Sequence, residues 1–315
     1  MRHVRSISTY GADYKRRQTF QKALLIAIIV ILVSLLPAVY FKLRGQNTNE
    51  RKELRDSFEA GEFEASYNLS GEMLKGKPLD FLVLTINGFS AYQLAIAQIN
   101  NFDTLSYINA CIWSLRKALL LRDSSSDGRI FYVLGKAYYY KGSGYADLAV
   151  KYLEKARSLA YKAGDIPEYL GLAYASIRDF RSSVAAFSLA LNEEAETGVS
   201  DVLLLSIARS YLALEEYDSA RAYLVRCMET SKDSKTVATA RLLLGGILVK
   251  TGDVSGAEAE YLKVIEENGE NAEAHFQLGE LYALGGDATR ARAEWRRAFR
   301  IDPTYEPARS RLNMQ

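Results

Sequence analysis

"FQLGELYALGGDATRARAEWRRAFRIDP", residues Phe276 to Pro303, sets small residues and rings at fixed intervals: Leu278 and Gly279, Tyr282, Ala291, Trp295, Ala298 and Pro303. The stretch holds no nucleophile beside a base, no cluster of metal ligands and no glycine-rich phosphate loop, so packing sets its spacing. Offsets of one and three put Leu278, Gly279 and Tyr282 on one face of a helix. Offsets of four and three do the same for Ala291, Trp295 and Ala298 on a second helix. Gly286 and Asp287 fill the turn between the two, and Asp302-Pro303 stops the second, because a residue before proline is pushed out of the helical region.

The pattern recurs upstream. Thirty-four residues earlier stand Leu244, Gly245, Leu248, Ala257 and Tyr261. Thirty-seven before those are Ile207, Ala208, Tyr211, Ala220, Leu224 and Cys227, and thirty-seven more lead to Leu170, Gly171, Tyr174, Ser183, Phe187 and Ala190. Thirty-six further back come Leu134, Gly135 and Tyr138, then, after a two-residue insertion in "KGSGYAD", Ala149, Leu153 and Ala156. Each unit reads as two antiparallel helices whose apolar faces meet, the glycine or alanine of the first allowing the second to come close. The expected fold class is all-α.

This spacing resembles the tetratricopeptide repeat, with its L-G-x2-Y and A-x3-F motifs and closing proline. The resemblance implies a right-handed α-solenoid, with five repeats over residues 128–305 and two degenerate hairpins over 47–127. Gly61, Phe63 and Pro78 mark the first of those, and Gly88, Cys111, Leu115 and Ala118 the second. Residues 306–315 are expected to cap the exposed end. Repeat packing then falls to Gly135, Tyr138, Gly171, Tyr174, Ala208, Tyr211, Ala220, Gly245, Ala257, Gly279, Tyr282, Ala291, Trp295 and Pro303. Departures from the family pattern are His275 in place of the favoured Trp, Ser183 in place of the packing alanine, and Pro167 inside a first helix.

The family binds partners along a concave face made by the first helix of each repeat. The matching positions here include Arg129, Tyr132, Lys136, Tyr139 and Tyr140, then Glu168 and Leu172, Leu205, Arg209 and Leu212, Leu242 and Val249, and Phe276 and Glu280. Tyrosine and arginine are enriched at binding hot spots, which favours "FYVLGKAYYYKG" as a docking stretch. The same side chains can equally serve as surface padding. Tyr132, Lys136, Glu168 and Leu172 do not reproduce the Lys, Asn and Arg clamp by which some members grip a terminal carboxylate.

The net charge of +2 conceals an asymmetry. Residues 1–46 carry eight Lys or Arg against Asp13 alone, leaving 32 basic and 37 acidic side chains in the rest. A mildly acidic body lacks the basic face that nucleic acid requires. "ALLIAIIVILVSLLPAVYF", Ala23 to Phe41, has no charge and is bracketed by Lys22 and Lys42. As a helix rising about 1.5 Å per residue it matches a hydrocarbon core of ~30 Å. No small-residue cleavage site follows, so residues 23–41 read as an uncleaved transmembrane anchor behind a basic tail, residues 1–22. The basic excess before the span favours a cytoplasmic N-terminus, an inner-membrane location and a periplasmic repeat domain.

Chemistry-bearing residues are sparse. His3 lies in the basic tail, and His275 occupies a packing position with no acidic partner at ligand spacing, so no metal, cofactor or small-molecule substrate is expected. Cys111 and Cys227, more than a hundred residues apart, read as separate buried thiols. Arg290, Arg292, Arg296, Arg297 and Arg300, with Glu294 among them, read as a solvated outer face. The expected function is non-enzymatic: a membrane-anchored scaffold for proteins of a bacterial cell-envelope complex, such as a translocon accessory, the cell-wall machinery or a flagellar-motor collar. The alternative is a periplasmic chaperone for unfolded or translocating clients.

Overall fold

The structure is a computed structural model describing residues 48–97, 103–121, 127–193 and 200–313. The expected tail and anchor, residues 1–22 and 23–41, lie outside these. Among the described residues no helix is long and apolar enough to cross a membrane. Contacts divide the chain into two compact units, Met1–Arg122 and Asp123–Gln315.

In unit one, helix α1 covers residues 48–59, followed by α2 (Phe63–Gly76), α3 (Phe81–Ala97) and α4 (Thr104–Leu121). Helix α3 touches both α2 and α4 and buries residues all round its circumference, including Val83, Leu84, Ile86, Phe89 and Ala95. A helix enclosed on all sides loses the one-sided pattern of a surface helix, which is why the repeat signature fades here. Its buried Asn87 donates to Ser70 Oγ at 2.9 Å and accepts from Ser114 Oγ at 2.7 Å, and Ser66 meets Ser90 at 2.6 Å. These bonds offset the cost of taking polar groups out of water. Arg51 pairs with Asp80, tying the start of α1 to the start of α3.

Unit two contains α5 (Gly128–Lys141), α6 (Ala146–Ser158), α7 (Ile166–Ser176), α8 (Phe180–Glu193), α9 (Asp201–Ala213), α10 (Tyr217–Thr230), α11 (Ser234–Thr251), α12 (Val254–Glu267), α13 (Ala272–Leu284), α14 (Ala288–Ile301) and α15 (Glu306–Asn313). Consecutive helices pair as hairpins from α5 with α6 through α13 with α14, and each hairpin packs on the next. The first helices also touch in series, α5 to α7, α7 to α9, α9 to α11 and α11 to α13, and so form a continuous face.

The sequence intervals become side-chain contacts. A Cβ added to Gly279 would stand 2.6 Å from Trp295 Cδ1, so only a residue without one lets α14 lie this close. Gly171 faces Phe187, Gly245 faces Tyr261, and in the third repeat Ala208 and Leu224 are buried together in one cluster. Ser183 replaces the packing alanine without penalty, because its hydroxyl donates to the Gly171 carbonyl at 2.9 Å and lies 3.0 Å from Ser210 Oγ. Each turn inside a hairpin reverses through a residue at positive φ: Gly142, Arg178, Glu215, Gly252 and Gly286. Asp233, Asp253, Asn271 and Asp287 cap the helices that follow by accepting from a backbone N–H three residues on.

Three expectations need correction or refinement. Pro167 disrupts nothing, since it lies in the first turn of α7 where no intrahelical N–H bond is lost. Pro303 is exposed in the turn after α14, and acts by stopping the helix and not by packing. Glu294 is not on a solvated face: it is buried and holds His275 Nδ1 at 2.6 Å and Arg297 at 2.9 Å. His275 therefore does have an acidic partner, across the hairpin. Its other nitrogen is 3.2 Å from the Gly269 carbonyl, so neither is left to bind a metal.

Candidate functional site

The first-helix face of unit two carries two clusters. One is centred on α5 and α7. Lys136 is only 9% exposed, and its Nζ donates to Asp165 Oδ2 at 2.6 Å and to Tyr132 Oη at 3.1 Å. Tyr132 Oη also donates to both Asp165 oxygens, at 2.8 and 2.9 Å. The Lys136 ammonium lies 4.2 Å from the centre of the Tyr169 ring, and Tyr169 Oη meets Tyr140 Oη at 2.5 Å. Tyr139 sits edge-on to Tyr169 with centroids 5.2 Å apart. Burial, followed by the bond to Asp165, pushes the Tyr132 phenol far above its ordinary value, so it stays a donor.

Tyr132, Lys136, Tyr139 and Tyr140 are thus brought together, but through Asp165 and Tyr169, which sequence reasoning did not single out. Asp165 stands just before α7, where an aspartate would be read as a helix cap. Its side chain caps nothing and turns to Lys136. The partners are 29 and 33 residues apart, so only the stacking of one repeat on the next joins them. Inside this cluster Lys136 has spent its charge. The surface it leaves is a shelf of half-buried tyrosines, Tyr139, Tyr140 and Tyr169, beside Glu168.

The second cluster is a groove of about 540 Å³ spanning α9, α11 and α13. Arg209 lines it, exposed and with no carboxylate partner among the described residues. Leu212, Leu242 and Leu243 supply apolar wall, and Glu215, Lys250, Glu273 and Gln277 also line it. Of these, Arg209, Leu212 and Leu242 stand at partner-facing positions in the sequence; Glu273 and Gln277 do not, and become visible only once α13 packs beside α11.

The remaining candidates behave differently. Phe276 meets the Tyr305 ring edge-on at 5.6 Å, and Arg311 of α15 grips Glu280 at 2.8 and 2.5 Å. The chain's own C-terminal segment has taken both positions, Tyr305 just before α15 and Arg311 within it. Arg129 is exposed at the start of α5. Tyr174 and Tyr282 pack and also donate, to Glu154 at 2.9 Å and Glu258 at 2.8 Å. Cys111 and Cys227 are free and buried in separate units. No group of three or more His, Cys, Asp or Glu among the described residues could hold a metal ion.

The profile of the tetratricopeptide repeat family matches residues 205–269 and 242–306. The C-terminal part of a TPR repeat-containing protein from Cytophaga hutchinsonii is similar in structure, with a TM-score of 0.58 at 15% identity, over 82% of this chain and 98% of that one. The apo form of the quorum sensor NprR from B. thuringiensis is similar with a TM-score of 0.56 at 15% identity, over 86% of this chain and 80% of that one. No curated protein matches the sequence. These likenesses show an all-α solenoid of the tetratricopeptide type, with the family profile matching within residues 205–306.

Proposed function

We propose that the protein is a non-enzymatic scaffold, anchored in the inner membrane by residues 23–41, that holds a segment of a partner protein of a cell-envelope complex on the first-helix face of unit two. The open groove across α9, α11 and α13 carries this reading. It joins an exposed cation, Arg209, which makes no ion pair among the described residues, to the apolar walls of Leu212, Leu242 and Leu243, with Lys250, Glu215 and Glu273 on the same lining. Such a site suits a segment that presents a carboxylate next to an apolar side chain, which would gain a charge-assisted hydrogen bond together with burial. The tyrosine shelf on α5 and α7 offers rigid aromatic contact area along the same face. The anchor and the periplasmic placement of the repeats rest on the uncharged run and its basic flank.

Affinity capture from detergent-solubilised membranes tests the scaffold. A single partner in fixed proportion is expected with the natural chain and is lost with Arg209→Glu, whose exposed position leaves the fold intact. A ladder of many clients, retained by the variant, would overturn the scaffold and favour the chaperone. Protease added to cells with only the outer membrane opened should digest the repeats; protection there would overturn the periplasmic placement.

A further inference from the structure

We infer that unit one rests on the surface of the bilayer, with Trp113, Lys117 and Leu120 of α4 and Leu79 of the α2–α3 turn in the headgroup layer. The inference depends on the anchor reading above. Its observations are separate.

The first is an exposed stripe. Leu120 is 85% exposed, Leu79 63% and Trp113 51%. Residues 113, 117 and 120 fall at offsets of four and three, on one side of α4. Lys117 holds its ammonium 3.7 Å from the centre of the Trp113 ring. Helix α4 also carries Arg116 and contains no acidic residue. Apolar side chains, a tryptophan and cations without acids are the composition of a helix that settles among headgroups, where the ring spans the polar boundary and cations meet phosphate. Glu72 of α2, which lines one pocket with Trp113, is paired to Lys75 at 2.6 Å.

The second is topology. Arg51 and Asp80 join the starts of α1 and α3. Ser66 with Ser90 and Ser70 with Asn87 set α2 antiparallel to α3, and α4, joined to α3 by a short link and packed on it where Asn87 meets Ser114, returns alongside it. The end of α2 with Lys75 and Lys77, the turn with Leu79, and the end of α4 with Leu120 therefore lie where α1 begins. That is also the end from which the chain comes from Phe41. Six residues lie between Phe41 and residue 48, so the seven steps reach at most about 25 Å even when fully extended. Glu50, Glu53 and Glu72 share this end, offset by Lys52, Lys75 and Lys77. A tether this short keeps the surface at high effective concentration beside the membrane, so a weak contact suffices.

Tryptophan fluorescence of the full chain in vesicles tests the inference, because the chain has two tryptophans and Trp295 is buried in unit two. The vesicles are phosphatidylcholine with a minor share of phosphatidylglycerol, without and with bromine on the acyl chains. Bromolipid should quench most of the emission from Trp113; Trp113→Phe should abolish that loss, and Leu79→Ser with Leu120→Ser should reduce it. Emission untouched by bromolipid overturns the proposal, whether iodide reaches Trp113 from water or a second copy or partner protein shields it. Extraction by alkaline carbonate separates the readings: a chain that stays in the vesicles with Trp113 unquenched sinks the docking alone, and a chain that is extracted sinks the anchor with it.

Discussion

Gly245 and Gly246 are adjacent in the middle of α11, and the structure assigns opposite consequences to the same substitution. A Cβ on Gly245 would overlap the Tyr261 ring, coming 2.8 Å from Cζ and 2.9 Å from Cδ1, and Tyr261 is itself 2% exposed. A Cβ on Gly246 meets nothing within 4 Å. Alanine is favoured over glycine inside a helix by about 1 kcal/mol, a gain both variants share. Overfilling a packed contact costs about 1–3 kcal/mol. Gly246→Ala should therefore stabilise unit two by up to about 1 kcal/mol, and Gly245→Ala should destabilise it by about 0–2 kcal/mol once the shared gain is subtracted, which leaves the two variants about 1–3 kcal/mol apart. The chain already contains a relaxed form of this contact, since Ala208 and Leu224 occupy the equivalent places in an earlier repeat. Gly245→Ala combined with Tyr261→Leu should then cost less than the sum of the two single changes, with a coupling of at least about 0.5 kcal/mol. Urea unfolding followed by helical circular dichroism measures these differences, and hydrogen exchange of the α11 and α12 amides localises them. Equal stability of the two alanine variants, or strict additivity in the double variant, would refute close helix approach as the reason for the glycine.

Three further outcomes follow from the geometry. Glu215 holds φ at +60° where equivalent turns use Gly252 and Gly286, so Glu215→Gly should raise stability by about 0.5–1 kcal/mol and Gly286→Ala should lower it by about 1 kcal/mol, read from thermal midpoints. Asp253→Ala removes the cap that accepts from the Gly256 N–H at 2.9 Å and should cost about 1 kcal/mol, with faster exchange confined to the first turn of α12. Burial holds the Tyr261 phenol up to about 12, and burial with the Glu154 bond does the same for Tyr174, whereas both ionise near 10 in an unfolded chain. Stability should be complete below pH 10 and fall as pH rises through 12, because the unfolded state releases those protons first. Tyr261→Phe should make that alkaline decline shallower in a pH series of urea midpoints.

The sequence by itself determined the all-α class and, in unit two, the hairpin period and the small and aromatic residues that turn inward. Those properties are local and repeated: Gly279 and Trp295, or Gly171 and Phe187, keep the same interval because each hairpin solves the same close approach. Only the tertiary structure decided where the charges end up. Asp165 leaves its cap position for Lys136, Glu294 goes inward to His275, and Arg311 closes over Glu280, and in each case the partner belongs to another helix whose distance along the chain follows no local rule. It also decided which part of the first-helix face stays open. A side chain's pattern tells which face it joins, but whether that face remains free depends on how much room its neighbours leave, and this is why Arg209 lines a groove while Phe276 meets the Tyr305 ring.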